Sequence, residues 1–156
     1  MKISCCIPCR DENDPFLKDL ITSIKDQNYP QDKIEIIVET RGDSESAKAM
    51  AIRRATGDIC AMFCADNKIM SPYLFKTVCE FLKKMPHISA VYPERYFYTE
   101  NDNSLNRYFS LIGGNDPVCY YLGKNDRKSH VESLTRYAHY QPSYGCNGFF
   151  YRASDI

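Results

Sequence analysis

The sequence predicts an α/β fold on a mainly parallel sheet, and three observations lead to it. Short apolar, β-branched runs alternate with longer stretches of helical period. The connections between them are short, as βαβ units require. A polar cluster follows each of the first three apolar runs, where a strand would give way to a loop. At 156 residues the chain can bury one sizeable core, and a single domain over 1–156 is the simplest division.

The elements follow in order. Lys2 to Pro8 is an apolar run closed by proline and reads as a buried strand. Asp14-Pro15 has the form of an N-cap with proline at the first helical position. Leu17, Leu20, Ile21 and Ile24 then give that helix one apolar face, and Asn28-Tyr29-Pro30 ends it. Ile34 to Val38 is a second strand. Arg41-Gly42-Asp43 turns into a second helix carrying Ala47, Met50, Ala51 and Ala55 on one side, and Gly57 is expected to end it in the left-handed conformation. Ile59 to Phe63 is a third strand. Ser71-Pro72 opens a third helix with Leu74, Phe75, Val78, Phe81 and Leu82 inward, and Ile88 to Tyr92 makes a fourth strand. Beyond Glu94 the pattern blurs into a tract rich in Tyr and Phe. Asp116-Pro117 is read as a short helix start, with Asp116 as its cap, and Gly145 to Tyr151 as a late strand.

Charge and cysteine usage narrow the function classes. Twenty basic residues balance twenty acidic ones, which leaves no electrostatic pull toward nucleic acid or an anionic membrane. No apolar run approaches the ~20 residues that span a bilayer. The start, Met1-Lys2-Ile3-Ser4, turns polar too soon for a signal peptide, so a cytoplasmic location is expected, or the cytoplasmic face of a membrane if a longer protein carries an anchor. Of the eight cysteines, Cys5, Cys6, Cys60, Cys64 and Cys79 lie in apolar runs and read as reduced, buried side chains. His87, His130 and His139 lack metal-ligand spacing. The tyrosines of 92–109 could stack a bound ring or pack the core and a cleft wall.

Ligands of open parallel sheets bind beyond the carboxyl ends of the strands. The residues there are Pro8-Cys9-Arg10-Asp11-Glu12, Glu39-Thr40-Arg41 and Cys64-Ala65-Asp66-Asn67. Arginines for phosphate and carboxylates for a hard cation together suit a nucleoside diphosphate with a divalent metal; solvated loops are the plain alternative.

Several stretches resemble the family 2 glycosyltransferases. ISCCIPCRDE, residues 3 to 12, is similar to their opening strand and loop, and Gln27-Asn28-Tyr29-Pro30 to the end of their first helix. Glu35 to Val38 resembles their second strand, and Ala47-Lys48-Ala49 through Ala55-Thr56-Gly57-Asp58 the stretch leading to their Asp-x-Asp strand. Gly145 to Arg152 resembles their Gly-x-x-Gly strand on the acceptor side. The likeness runs in continuous order over residues 2 to 82 and is loose over 94 to 144. It implies a Rossmann-like three-layer α/β/α sandwich of the GT-A type, with a nucleotide-sugar-binding part (1–93) and the start of an acceptor-side part (94–156).

The activity implied is an inverting transfer from a UDP- or GDP-sugar to a hydroxyl of a saccharide or lipid-linked acceptor. By position, the donor would meet Pro8, Cys9, Arg10, Glu12, Glu39, Arg41, Lys48, Asp66 and Asn67. Among these, Glu39 is placed to read the base, Lys48 stands near the diphosphate, and Asp66 holds Mg²⁺ or Mn²⁺. The sequence departs from the pattern at Cys64, which replaces the first acid of Asp-x-Asp, and at Asn67, so metal binding without donor is expected to be weak. The family's general base is an Asp expected beyond Ile156, so this chain is expected to bind donor without completing transfer. Two other readings stay open: a non-catalytic nucleotide-sugar-binding module or degenerate copy, and a thiol redox protein using Cys6 and Cys9. A zinc site of Cys5, Cys6, Cys9 and Cys64 is disfavoured, because strand alternation turns Cys5 and Cys6 to opposite faces.

Overall fold

A computed structural model describes residues 1–93, 96–112 and 148–156. The expected start of a helix at Asp116-Pro117, the residues Gly145 to Asn147, and His130 and His139 lie outside the described residues. Two units are present: Met1–Tyr92 with Cys146–Ile156, and Pro93–Gly145.

The first unit holds a five-stranded sheet in the order β2-β1-β3-β5-β4. Its strands are β1 (Ile3–Pro8), β2 (Ile34–Glu39), β3 (Ile59–Met62), β4 (Ala90–Val91) and β5 (Phe149–Arg152). β1 pairs in parallel with β2 and β3, whereas β5 runs antiparallel to both β3 and β4. Four strands therefore share one direction, and the fold is α/β and Rossmann-like.

Strand alternation sorts the core onto two faces. Ile3, Cys5 and Ile7 of β1, Ile59 and Ala61 of β3 and Phe150 of β5 pack with Leu17, Leu20 and Ile24 of α1 (Pro15–Lys25) and with Phe75, Val78, Cys79 and Leu82 of α3 (Leu74–Lys84). Cys6, Ile37, Met62 and Phe149 pack on the other face against Ala51 of α2 (Ser44–Arg54). Asp14 caps α1 by accepting from the Phe16 N–H at 2.9 Å, with Pro15 opening the helix. Asp43 caps α2 through the Ser46 N–H at 2.8 Å, after Gly42 turns at φ +77°.

Four local expectations need correction. Gly57 does not end α2 in a left-handed conformation; the helix stops at Arg54, and Ala55 is already extended. Glycine is needed at 57 for close approach, because a Cβ there would lie 2.8 Å from both the Lys2 carbonyl and the Ser4 nitrogen. α3 begins at Leu74 rather than at Ser71-Pro72. The Ser71 and Pro72 carbonyls are taken by Gln27 Nε2 (2.9 Å) and the Asn28 N–H (2.7 Å), and the Phe75 N–H finds Gln27 Oε1 instead. Phe81 points outward at 42% exposure, and Cys79 occupies the inner face in its place. The fourth strand is only Ala90–Val91, because Arg152 takes the carbonyls just before it. Its backbone N–H reaches Ser89 and its Nε reaches Ile88, while Nη2 ties down Leu82 and Met85 at the end of α3.

The second unit contains α4 (Ser104–Ile112), capped by Asn103 Oδ1 accepting from the Asn106 N–H at 2.8 Å. Phe97, Leu105 and Phe109 are exposed. Among the described residues no helix is long and apolar enough to cross a membrane.

At the amino end of the sheet, Glu35 accepts from Ser4 Oγ, from the Thr56 N–H and hydroxyl at 2.9 Å each, and from Lys2 Nζ at 3.4 Å. The Gly57 N–H donates to Ser4 Oγ at 2.8 Å. Partial burial alone would raise the Glu35 carboxyl, but the bonds from Ser4, Thr56 and Lys2 outweigh it and hold it down to about 2, against an ordinary 4.5. Two predictions follow from this corner. Gly57→Ala costs about 1–3 kcal/mol or more in denaturant unfolding, since backbone atoms must move. Glu35→Gln costs about 1–3 kcal/mol at neutral pH. A depressed pKa stabilises above the unfolded value, so the gap to wild type should close as pH falls from 4.5 toward 2. A gap that stays constant through that window would refute the assignment.

Candidate functional site

The site is built by the three parallel strands ending together. Pro8 pairs with Glu39, and the Phe63 N–H donates to the Cys6 carbonyl at 3.1 Å. The loops after β1, β2 and β3 therefore leave from one edge. β2 and β3 flank β1 on opposite sides, so the strand order reverses at β1. The carboxyl edge between β1 and β3 is the topological switch point at which such sheets bind ligands.

The first loop is shaped from within. The Cys9 N–H donates to the Glu39 carbonyl at 3.0 Å and the Cys9 thiol to the Asp11 carbonyl at 3.0 Å, while Asp11 Oδ1 accepts from the Asn13 N–H at 2.9 Å. Pro8 is half-buried and Cys9 buried. Arg10 and Glu12 stand out into solvent, and among the described residues neither makes a hydrogen bond or ion pair.

The second loop spends its charges internally. Glu39 is buried, and its Oε1 accepts from the Arg41 N–H (3.1 Å) and Nε (2.7 Å). Its Oε2 accepts from Arg41 Nη2 (2.7 Å) and Arg54 Nη1 (3.0 Å). The Arg41 guanidinium, with help from Arg54 and against the effect of burial, holds the Glu39 carboxyl down to about 2. Lys48, one turn into α2, pairs with Glu45 at 2.6 Å.

The third loop is a closed turn. The Cys64 N–H donates to Asn67 Oδ1 and the Asn67 N–H to the Cys64 carbonyl, both at 3.0 Å. Asp66 sits at its exposed tip with no hydrogen bond or ion pair among the described residues. Beyond it, the Ile69 N–H donates to Ser23 Oγ at 3.1 Å and brings the chain back along α1.

Of the residues singled out from the sequence, the fold brings Arg10, Glu12 and Asp66 to this edge with their charges uncommitted. Glu39 and Arg41 are there but bound to each other, Asn67 closes a turn, and Lys48 is engaged by its own helix. Arg54 was missed. A basic residue in the last turn of a helix reads as a partner of the helix dipole, and no local spacing links it to an acid fifteen residues earlier.

A divalent cation would find the carboxylate of Asp66 uncommitted at the end of β3, with that of Glu12 on the loop after β1. Among the described residues no three His, Cys, Asp or Glu side chains converge to hold a metal. The donor set therefore fits a cation such as Mg²⁺ that keeps several waters and shares phosphate oxygens of a bound ligand. Cys6 and Cys9 lie in the cores on opposite faces of the sheet, so they do not form a redox pair in this fold. A bond with Cys60, then burial, pushes the Cys6 thiol up, away from the reactive thiolate. Tyr92 stacks on Phe149 at 5.1 Å as part of the core. A shallow depression of about 640 Å³ lined by Met1, Gly57, Asp58, Arg152, Ala153 and Ser154 opens at the amino edge of the sheet, away from all three loops.

No protein-family model matches the sequence, and no curated protein matches it. Solved structures do. S. aureus TarS 1-349 in complex with UDP-GlcNAc superposes with a TM-score of 0.59 at 14% identity, over 99% of this chain and 46% of that one. A second structure of TarS 1-349 gives 0.55 at 13%, over 99% and 48%, and TarS 1-349 in complex with UDP gives 0.54 at 14%, over 66% and 38%. This chain thus spans less than half the length of each of these TarS chains. At such identities the likeness is one of fold: the chain shares a Rossmann-like α/β fold with these TarS structures.

Proposed function

We propose that this chain binds a nucleoside-diphosphate sugar, UDP- or GDP-linked, at the carboxyl edge of β1, β2 and β3, as the donor side of an inverting sugar transfer in the manner of family 2. The observation that carries this reading is the pair Arg10 and Asp66. They are uncommitted charges of opposite sign on the two loops that flank the switch point, in a fold shared with a protein solved with UDP and with UDP-GlcNAc. Arg10 offers a planar fork to the diphosphate. Asp66 would hold Mg²⁺ or Mn²⁺, which when bound neutralises charge gathering on the departing diphosphate. Pro8 and Cys9 form the wall against which base and ribose lie, and Glu12 adds a second carboxylate at the rim. The acceptor is a saccharide or lipid-linked hydroxyl, and its proton goes to a general base. Six described cysteines are free, which accords with a reducing, cytoplasmic setting.

Titration calorimetry with UDP, GDP and their sugars, with and without Mg²⁺ or Mn²⁺, tests the reading; no heat and no thermal shift with any of them would end it. Asp66→Ala should lose about 1.5–3 kcal/mol of metal-dependent donor affinity, roughly 10- to 100-fold, while stability stays within about 0.5 kcal/mol of wild type. Asn67→Ala should behave in the opposite way, losing about 1 kcal/mol of stability with its turn and little of its binding. Arg10→Ala should weaken UDP about 10-fold or more whether or not metal is present. An Asp66 variant that melts early yet binds normally would reassign that carboxylate to the turn.

A further inference from the structure

We infer that Glu39 serves the donor as a positioning residue: its buried carboxylate sets the guanidinium groups of Arg41 and Arg54 at the carboxyl end of β2, and the arginines rather than the carboxylate meet the nucleoside end of the donor. The inference rests on the donor site proposed above. A carboxylate has about four acceptor positions, and all four of Glu39 are filled. The Arg41 N–H and Nε occupy one oxygen, and Arg41 Nη2 and Arg54 Nη1 the other. Its side chain is 3% exposed, whereas those of Arg41 and Arg54 are 68% and 54% exposed. The acid is thus sealed beneath the groups it orders.

Three of the four bonds come from Arg41 alone. Its backbone N–H and its side-chain fork grip both oxygens, so the guanidinium plane is fixed before any ligand arrives. Such pre-organisation spares the ordering cost that a free arginine would incur on binding. The three groups together carry one net positive charge. A guanidinium has five N–H donors, and Arg41 spends only Nε and one hydrogen of Nη2 on Glu39, so the rest face outward.

The consequence is a change in what can be read. A carboxylate at the end of β2 would accept the imide N–H of uracil and reject cytosine, whose ring nitrogen at that position is an acceptor. Outward guanidinium groups only donate, so they recognise the carbonyl oxygen common to both bases and welcome the cytosine acceptor. UDP and CDP therefore separate the two arrangements.

Calorimetry with UDP and CDP, beside thermal melting, on wild type, Glu39→Gln, Arg41→Ala and Arg54→Ala tests this. Wild type should bind the two nucleotides within about threefold of each other, and Arg41→Ala should weaken both by about five- to tenfold. Arg54→Ala should act in the same direction and less. Glu39→Gln should weaken both nucleotides alike, and the double variant Glu39→Gln/Arg41→Ala should lose no more than Arg41→Ala and Arg54→Ala lose together, because the acid acts through the two arginines. A UDP preference of about tenfold or more in wild type that Glu39→Gln abolishes would show that the carboxylate reads the base. Lower melting temperature with unchanged affinity for both nucleotides would show a structural role only; either result overturns the inference. UDP binding that is lost in Asp66→Ala but indifferent to all four of these variants would leave the donor site standing and remove this inference alone. Failure of wild type to bind any nucleotide would remove both.

Discussion

The structure depends on the closeness with which three chain segments meet at Ser4. β1 is the strand on which β2 and β3 both register, and Ser4 is fully buried between them. Its hydroxyl donates to Glu35 on one side and accepts from the Gly57 N–H on the other, so one oxygen spans both strand entries. Glu35 extends the tie to Thr56 and Lys2. A slip of one residue in either pairing would turn a whole strand over and put the apolar side chains on the wrong face. Locking the register at the amino end also sets where the strands stop at the other end, and the candidate site is built from those stops.

A second tie explains a motif that is otherwise only a likeness. In Gln27-Asn28-Tyr29-Pro30, the Gln27 amide bonds the Ser71 carbonyl and receives the Phe75 N–H, and the Asn28 N–H reaches Pro72. The Tyr29 hydroxyl donates to the Met1 carbonyl at 2.6 Å, while its ring meets Phe75 edge-on. The tetrapeptide caps α3, fixes the segment after the Asp66 turn against α1, and pins the chain start. It acts as a joint among three elements.

What was legible in the sequence was whatever periodicity and capping decide locally. The first three strands and the helices α1 and α2 follow from runs, Asp14-Pro15 and Gly42-Asp43, because those signals act within a turn of the residue that carries them. The features that escaped were decided at long range. Gly57 has the look of a helix terminator, but it is required by backbone 53 residues away at Ser4. Arg152 shortens β4 by taking carbonyls more than 60 residues upstream. At the site the same division holds. The sequence could nominate the polar strand ends, and it could not tell that Glu39 and Arg41 satisfy each other while Arg10 and Asp66 do not.

That distinction also bears on how a strand-end loop comes to bind anything. Charged residues at strand ends are common because backbone leaving a sheet is solvated, and a carboxylate whose acceptor positions are all filled offers little to a ligand. The Cys64–Asn67 turn shows how the free charge is kept free. The Asn67 amide supplies the acceptor that closes the turn, a task that an aspartate at the same position could also perform. A second carboxylate there would add like-charge repulsion beside Asp66 in the absence of a cation. With a neutral closing group, Asp66 carries a single negative charge at an exposed tip. The attraction of that tip for a cation is correspondingly small until phosphate oxygens are present to share the coordination. In the donor site proposed above, such a turn joins a cation and an anionic ligand together and holds neither well alone.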